Sequence, residues 1–225
     1  SGFDIAREPV MERLKRVSDL LLSTVGLALG TPVVAAAALA IWLEDRQSPF
    51  FFQTRIGRNG VPFRIMKLRT MRVGTQVVAT HLLQNPDQCL TPIGGFLRKS
   101  SLDELPQLWS VLKGEMSLVG PRPLPDYHLD QFSGEFRTLR SGVLPGLTGL
   151  WQVSARSDGD LKTLEALDRY YIRNWSPWLD VYILARTVAA VVRAQVDKFA
   201  AEGKNVSFKI AVKDGKVSLT AKPED

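Results

Sequence analysis

From Leu20 to Leu43 the chain runs for 24 residues without a charged side chain, most of them Leu, Val or Ala. As a helix rising about 1.5 Å per residue, the stretch is long enough to cross a bilayer. It is too long for the apolar core of a secretion signal, and the alanines after Pro32 lead into no persuasive cleavage site. A retained membrane helix is therefore expected. Thr31-Pro32 sits at its midpoint, where the missing backbone N–H and the ring's clash with the preceding turn are expected to bend or break the helix. The flanks point the same way. Arg7, Arg13, Lys15 and Arg16 precede the stretch, and Arg46, Arg55, Arg58, Arg64 and Lys67 follow it. A spanning helix carries its basic excess on one side, whereas a helix that dips in and returns keeps both basic ends on one face. The expectation is a re-entrant hairpin broken at Pro32, set against a straight span and a buried core helix.

With 225 residues, 45% of them hydrophobic and 23% charged, the chain has room for one ordinary core and lacks the skew of a disordered tail or a polytopic transporter. One cysteine, Cys89, and two histidines, His81 and His128, exclude an internal disulfide and a zinc cluster. A net charge of +6 suits anionic partners: phosphorylated substrates, acidic lipid or nucleic acid. Nucleic acid is disfavoured, because the basic residues are not interleaved with aromatics along one element.

The pattern reads as mainly α with a small β-hairpin. Phe50 to Met66 forms the hairpin around Asn59-Gly60, a pair suited to positive φ. A loop with helical turns around Val77 to Leu83 leads to a short helix at Ile93 to Arg98. Apolar residues at helical spacing from Leu102 to Leu112 stop at Gly114. Met116 to Pro125 and Gly142 to Gly149 read as loops, and Pro125 to Arg140, Leu161 to Asn174 and Pro177 to Ala200 as helices. VSFKIAV and KVSLTA suggest a terminal hairpin. Three regions result: a membrane helix over 1–45, a catalytic domain over 46–200 and an extension over 201–225.

The chemistry concentrates in Arg98-Lys99-Ser100-Ser101-Leu102-Asp103-Glu104-Leu105-Pro106. Ser101-x-x-Glu104 fits a capping box, a purely structural reading. Asp103 would sit at a helix N-terminus, where the positive end of the dipole lowers its pKa and keeps it ionised, as a nucleophile requires. Downstream, Gly120-Pro121-Arg122-Pro123 flanks one guanidinium with prolines, a way to present it rigidly to a phosphate, although Arg122 alone reads equally as a surface charge. Two carboxylates among basic residues suggest a magnesium-bridged diphosphate.

The strings KRVSDL, FFQTRIG, FRIMKLRTM, LRKSSLDELPQLWSVLKGEMSLVGPRP, LPGLTGLWQVSAR and LDRYYIRNWSPWLDVYIL, with the Thr31-Pro32 break, occur in the order and spacing of the bacterial sugar transferases. The resemblance to these monotopic polyprenyl-phosphate phosphoglycosyl transferases covers about residues 10 to 195. It implies a catalytic domain held by a re-entrant helix on the cytoplasmic face of the bacterial inner membrane. It also implies transfer of a sugar-1-phosphate from a UDP-sugar to undecaprenyl phosphate, with release of UMP, as the first step of surface glycan assembly. By that resemblance Asp103 is the nucleophile of a covalent aspartyl intermediate and Glu104 its partner, with Mg2+ on the diphosphate. Arg98 and Arg122 match phosphate-binding positions; Lys67, Arg69, Arg55 and Arg156 are further candidates for nucleotide, sugar or acidic lipid. A homodimer stays open. The competing functions are a membrane-anchored scaffold that binds anionic lipid, and a nucleotide-sugar hydrolase.

Overall fold

The computed structural model describes residues 8–75, 86–154, 160–201, 206–213 and 216–223. The uncharged stretch lies within one 37-residue helix, α1 (Pro9–Asp45). Proline at the start costs no hydrogen bond, because the first N–H groups of a helix have no partner within it. The break expected at Pro32 is not an end of helical structure: α1 continues through that residue. The proline forfeits one intrahelical bond among many. Both sides of it are held by packing, Leu27 against the main core and Ala37 and Ile41 within a smaller one.

The burial of α1 is the reverse of that of a helix in a water-soluble protein. Its buried residues are Asp19, Ser23, Ala37 and Ile41, while Leu21, Leu22, Val25, Leu29, Val33, Leu39 and Leu43 are exposed. Only 6% of its most apolar window is buried, which excludes the core-helix alternative. Such a continuous apolar face belongs against lipid.

Both ends of α1 are fastened to the same folded unit. Near its start, Arg16 donates to the carbonyls of Val111 and Leu112 at 2.6 and 2.8 Å, and Asp19 accepts the N–H of Leu118 at 3.0 Å. Near its end, Asp45 takes both guanidinium nitrogens of Arg69 at 2.6 and 2.7 Å, and Glu44 accepts the N–H of Ile93 at 3.2 Å. Between these, Gly26 lets the helix approach closely: a Cβ there would meet Leu108 at 3.0 Å.

After α1, strands β1 (Phe50–Ile56) and β2 (Pro62–Leu68) form the expected antiparallel hairpin, with Phe50 opposite Leu68 and Ile56 opposite Pro62. Asn59 and Gly60 adopt φ of 59° and 73° at its tip. Then come α2 (Gly94–Lys99), a 3-10 turn (Leu102–Gln107) and α3 (Leu108–Lys113). Two strands hide in the segments read as loops: β3 (Ser117–Val119) pairs in parallel with β4 (Gly146–Thr148). Three residues are too few for a period-two pattern to register. Gly120 and Gly146 are required at their crossing, since a Cβ on Gly146 would lie 2.1 Å from the Gly120 nitrogen.

The single helix expected over Pro125 to Arg140 is two, α4 (Asp126–Leu129) and α5 (Gly134–Ser141); Ser133 caps the second by accepting the Phe136 N–H at 3.3 Å. Helices α6 (Leu150–Ser154), α7 (Leu161–Arg173) and α8 (Pro177–Ala201) follow. Phe136, Val111, Met116, Tyr171, Ile172 and Ile183 form the centre of the main core. The chain divides after Thr187 into two units, and the second contains the antiparallel hairpin of β5 (Val206–Lys213) and β6 (Lys216–Pro223). The helical turns expected around 77–83 lie outside the described residues.

Candidate active site

The acidic pair is carried by the 3-10 turn, and the turn's geometry follows from its sequence. Pro106 has no N–H to give an α-helical ladder, and the tighter turn accommodates it before α3 begins at Leu108. Ser101, just before the turn, is held at φ 56°, a left-handed conformation that costs a non-glycine residue about 1 kcal/mol. Its side chain caps nothing, so the capping box expected from Ser101 and Glu104 does not form. Glu104 faces a cluster of cations instead. Its Oε1 accepts from Lys67 Nζ at 2.6 Å, delivered by the end of β2, and from Arg122 at 3.2 Å, delivered by the loop after β3.

Asp103 is 8% exposed. Its carboxyl is raised from 3.8 to about 6, first by burial and then by the charge of Glu104, against the pull of Lys67 and Arg98. This corrects the expectation that a helix dipole would lower it. The turn is one short 3-10 segment with little macrodipole, and loss of water outweighs the remaining field. Near pH 7 the ionised form still prevails by about ten to one.

The cations are crowded as well. Burial is the main cause that lowers the pKa of Lys67, with Arg122 adding to it against the pull of Glu104. Arg55 falls to about 10, through burial and then the nearby charge of Arg122. It donates to the Pro123 carbonyl at 3.1 Å, while its buried Nε has no partner among the described residues. Arg55, Lys67, Arg98 and Arg122 thus share one neighbourhood with two carboxylates. Its surplus of positive charge is what a diphosphate would neutralise.

Arg69 stands apart: it is spent on Asp45 and on the Ser48 carbonyl at 2.7 Å, a clamp between the end of α1 and the hairpin. Thr31 and Pro32 are exposed on α1, with the Thr31 hydroxyl donating to the Leu27 carbonyl at 2.6 Å. Arg156 lies outside the described residues. Sequence reasoning missed Arg140. It is buried at the end of α5, pairs with Asp168 at 2.9 Å and donates to the backbone carbonyl of Arg122, so it fixes the loop that presents Arg122. The two apolar residues before it on α5, Phe136 and Leu139, were the available sign that this face turns inward.

Among the described residues no group of three or more His, Cys, Asp or Glu side chains forms a ready metal centre. Magnesium fits nonetheless, because it favours hard oxygen donors and commonly takes one or two carboxylates, with substrate phosphates completing its shell.

The family model described as bacterial sugar transferase matches residues 10–194. The chain is 38% identical over 197 residues to the UDP-galactose-lipid carrier transferase of Erwinia amylovora, covering 80% of this chain and 40% of that protein. It is 40% identical over 203 residues to the exopolysaccharide production protein ExoY of Rhizobium meliloti, covering 83% and 88%. It is 40% identical over 195 residues to the UDP-glucose:undecaprenyl-phosphate glucose-1-phosphate transferase of Escherichia coli (strain K12), covering 83% and 42%. The chain thus spans about two fifths of the longer relatives and most of the shorter one.

Proposed function

The chain belongs to the bacterial sugar transferases, and from that premise we propose that it transfers a sugar-1-phosphate from a UDP-sugar to undecaprenyl phosphate and releases UMP. The observation that carries this reading is Asp103, a buried carboxylate beside Glu104, with Lys67 and Arg98 acting on Asp103 and Arg122 and Arg55 on its neighbour Glu104.

In the first half-reaction an Asp103 carboxylate oxygen attacks the phosphorus that bears the sugar. The bond from that phosphorus to the oxygen of UMP breaks, UMP leaves with the electron pair, and an aspartyl phosphosugar remains. In the second, a phosphate oxygen of undecaprenyl phosphate attacks the same phosphorus, the bond to Asp103 breaks, and the carboxylate is restored. Scarce hydration makes the Asp103 anion reactive, and a proton affinity near 6 leaves it ready at neutral pH. Lys67 and Arg122 hold Glu104 in place while keeping donors close to the incoming phosphates. Arg140 fixes the Arg122 loop from behind. Magnesium held by Asp103 and Glu104 would neutralise charge on the diphosphate.

The membrane arrangement supports a lipid acceptor. Because both ends of α1 are fastened to one folded unit, the reading is monotopic: the helix presents its exposed apolar face to one leaflet while both of its ends stay with the catalytic domain, leaving the site at the cytoplasmic face. A panel of UDP-sugars assayed with undecaprenyl phosphate tests the function. UMP release with one or more sugars is expected, dependent on the lipid beyond a single turnover. Sustained release without the lipid would make the protein a hydrolase, and no release with any sugar would leave a lipid-binding scaffold.

A further inference from the structure

A second basic site lies at the start of the membrane helix. The first turns of α1, Arg58 at the tip of the β1–β2 hairpin and the chain at the end of α5 enclose a cavity of about 340 Å³. Arg13, Lys15, Arg16 and Arg58 line it, against Glu12 and Asp19.

Several of these charges are already committed. Lys15 pairs with Asp180 at 2.5 Å and donates to the Val119 carbonyl at 3.0 Å. Arg16 caps the end of α3, and Asp19 is taken by the Leu118 N–H. They form a fixed wall. Arg13 and Arg58 are different: both are exposed, and among the described residues neither has an ion pair or a side-chain hydrogen bond. Two uncommitted guanidiniums, contributed by separate elements to one concave space, suit the planar, bidentate recognition of a phosphate. Leu144, Val143 and Tyr171 supply an apolar wall beside them. On the same first turns of α1, Val10, Leu14 and Val17 are exposed, so the cavity adjoins the face that meets lipid.

We infer that this cavity is a binding site for the phosphate headgroup of an anionic membrane lipid, separate from the Asp103 centre. Its occupant would tie the start of α1 to the headgroup layer.

Vesicle partitioning of the full chain tests the inference without any assay of catalysis. The quantity is the ratio of binding to vesicles of equal parts phosphatidylcholine and phosphatidylglycerol over binding to phosphatidylcholine alone. A cation at an anionic surface is worth about fivefold in binding. The double variant Arg13→Gln with Arg58→Gln is therefore expected to lower the ratio by at least about 25-fold. A control removing equal charge, Arg64→Gln with Lys162→Gln, is expected to lower it severalfold less. Leu144→Trp, which keeps every charge but fills the space, is expected to lower it as well, with unchanged circular dichroism and neutral-vesicle binding. Equal losses in the two double variants, or no loss with Leu144→Trp, would reduce the effect to non-specific attraction and overturn the site. Inorganic phosphate binding the parent in detergent as tightly as the anionic vesicles do, with the same loss in the variants, would assign the cavity to a free anion and overturn the lipid source.

Discussion

Replacing Asp103 by Asn should make the protein more stable and inactive at once. The native carboxyl titrates near 6 rather than 3.8 because burial and Glu104 disfavour its charge. The folded state therefore binds this proton more tightly than the unfolded chain, and its ionisation is a cost of folding. Below about pH 4 the group is protonated in both states and the cost is absent; it grows as pH rises and is complete above about pH 6. At about 1.4 kcal/mol for each tenfold change in proton affinity, the full cost is about 3 kcal/mol. Asn has nearly the same shape and no charge, so Asp103→Asn should gain up to that amount at pH 7.5. For a chain of this size the gain is several degrees in Tm. The assay is thermal unfolding of parent and variant in one detergent from pH 4 to 8. The expected result is a difference near zero at pH 4 that widens to a plateau above pH 6. A difference that does not vary with pH, or an Asn variant less stable at pH 7.5, would refute the claim that the Asp103 charge is held at a cost.

Turnover should decline as pH falls through about 6, as Asp103 takes up its proton, and a pH–rate profile whose acid limb lies near 4 would contradict that assignment. Asp168→Asn leaves the Arg140 charge buried without its counter-ion and should cost about 3–5 kcal/mol in unfolding experiments. Cysteines introduced at Ser18 and Ser48 should both react with a membrane-impermeant reagent from the same side of sealed vesicles; reaction from opposite sides would mean a full span.

The elements with enough residues to show their period could be read directly. Long apolar α1, the Asn-Gly hairpin and amphipathic α7 each carry many repeats of one signal. Strands β3 and β4 could not be read, because their pairing depends on a non-local approach between Gly120 and Gly146 and leaves no local pattern. The acidic pair was legible as a motif, but its electrostatics were not. A helix dipole is a local property that sequence can suggest, whereas the desolvation that dominates Asp103 arises only when the chain closes around it. Arg55, Lys67, Arg98 and Arg122 come together around the pair, but Arg69 does not, since its partner Asp45 becomes its neighbour only when α1 docks.

The most direct measurement is mass spectrometry of the protein quenched after exposure to its UDP-sugar without undecaprenyl phosphate. The expected result is a peptide heavier by one phosphosugar, with the addition on Asp103, absent from Asp103→Asn and discharged when the lipid phosphate is added. A phosphosugar on Glu104, or full turnover by Asp103→Asn, would contradict it.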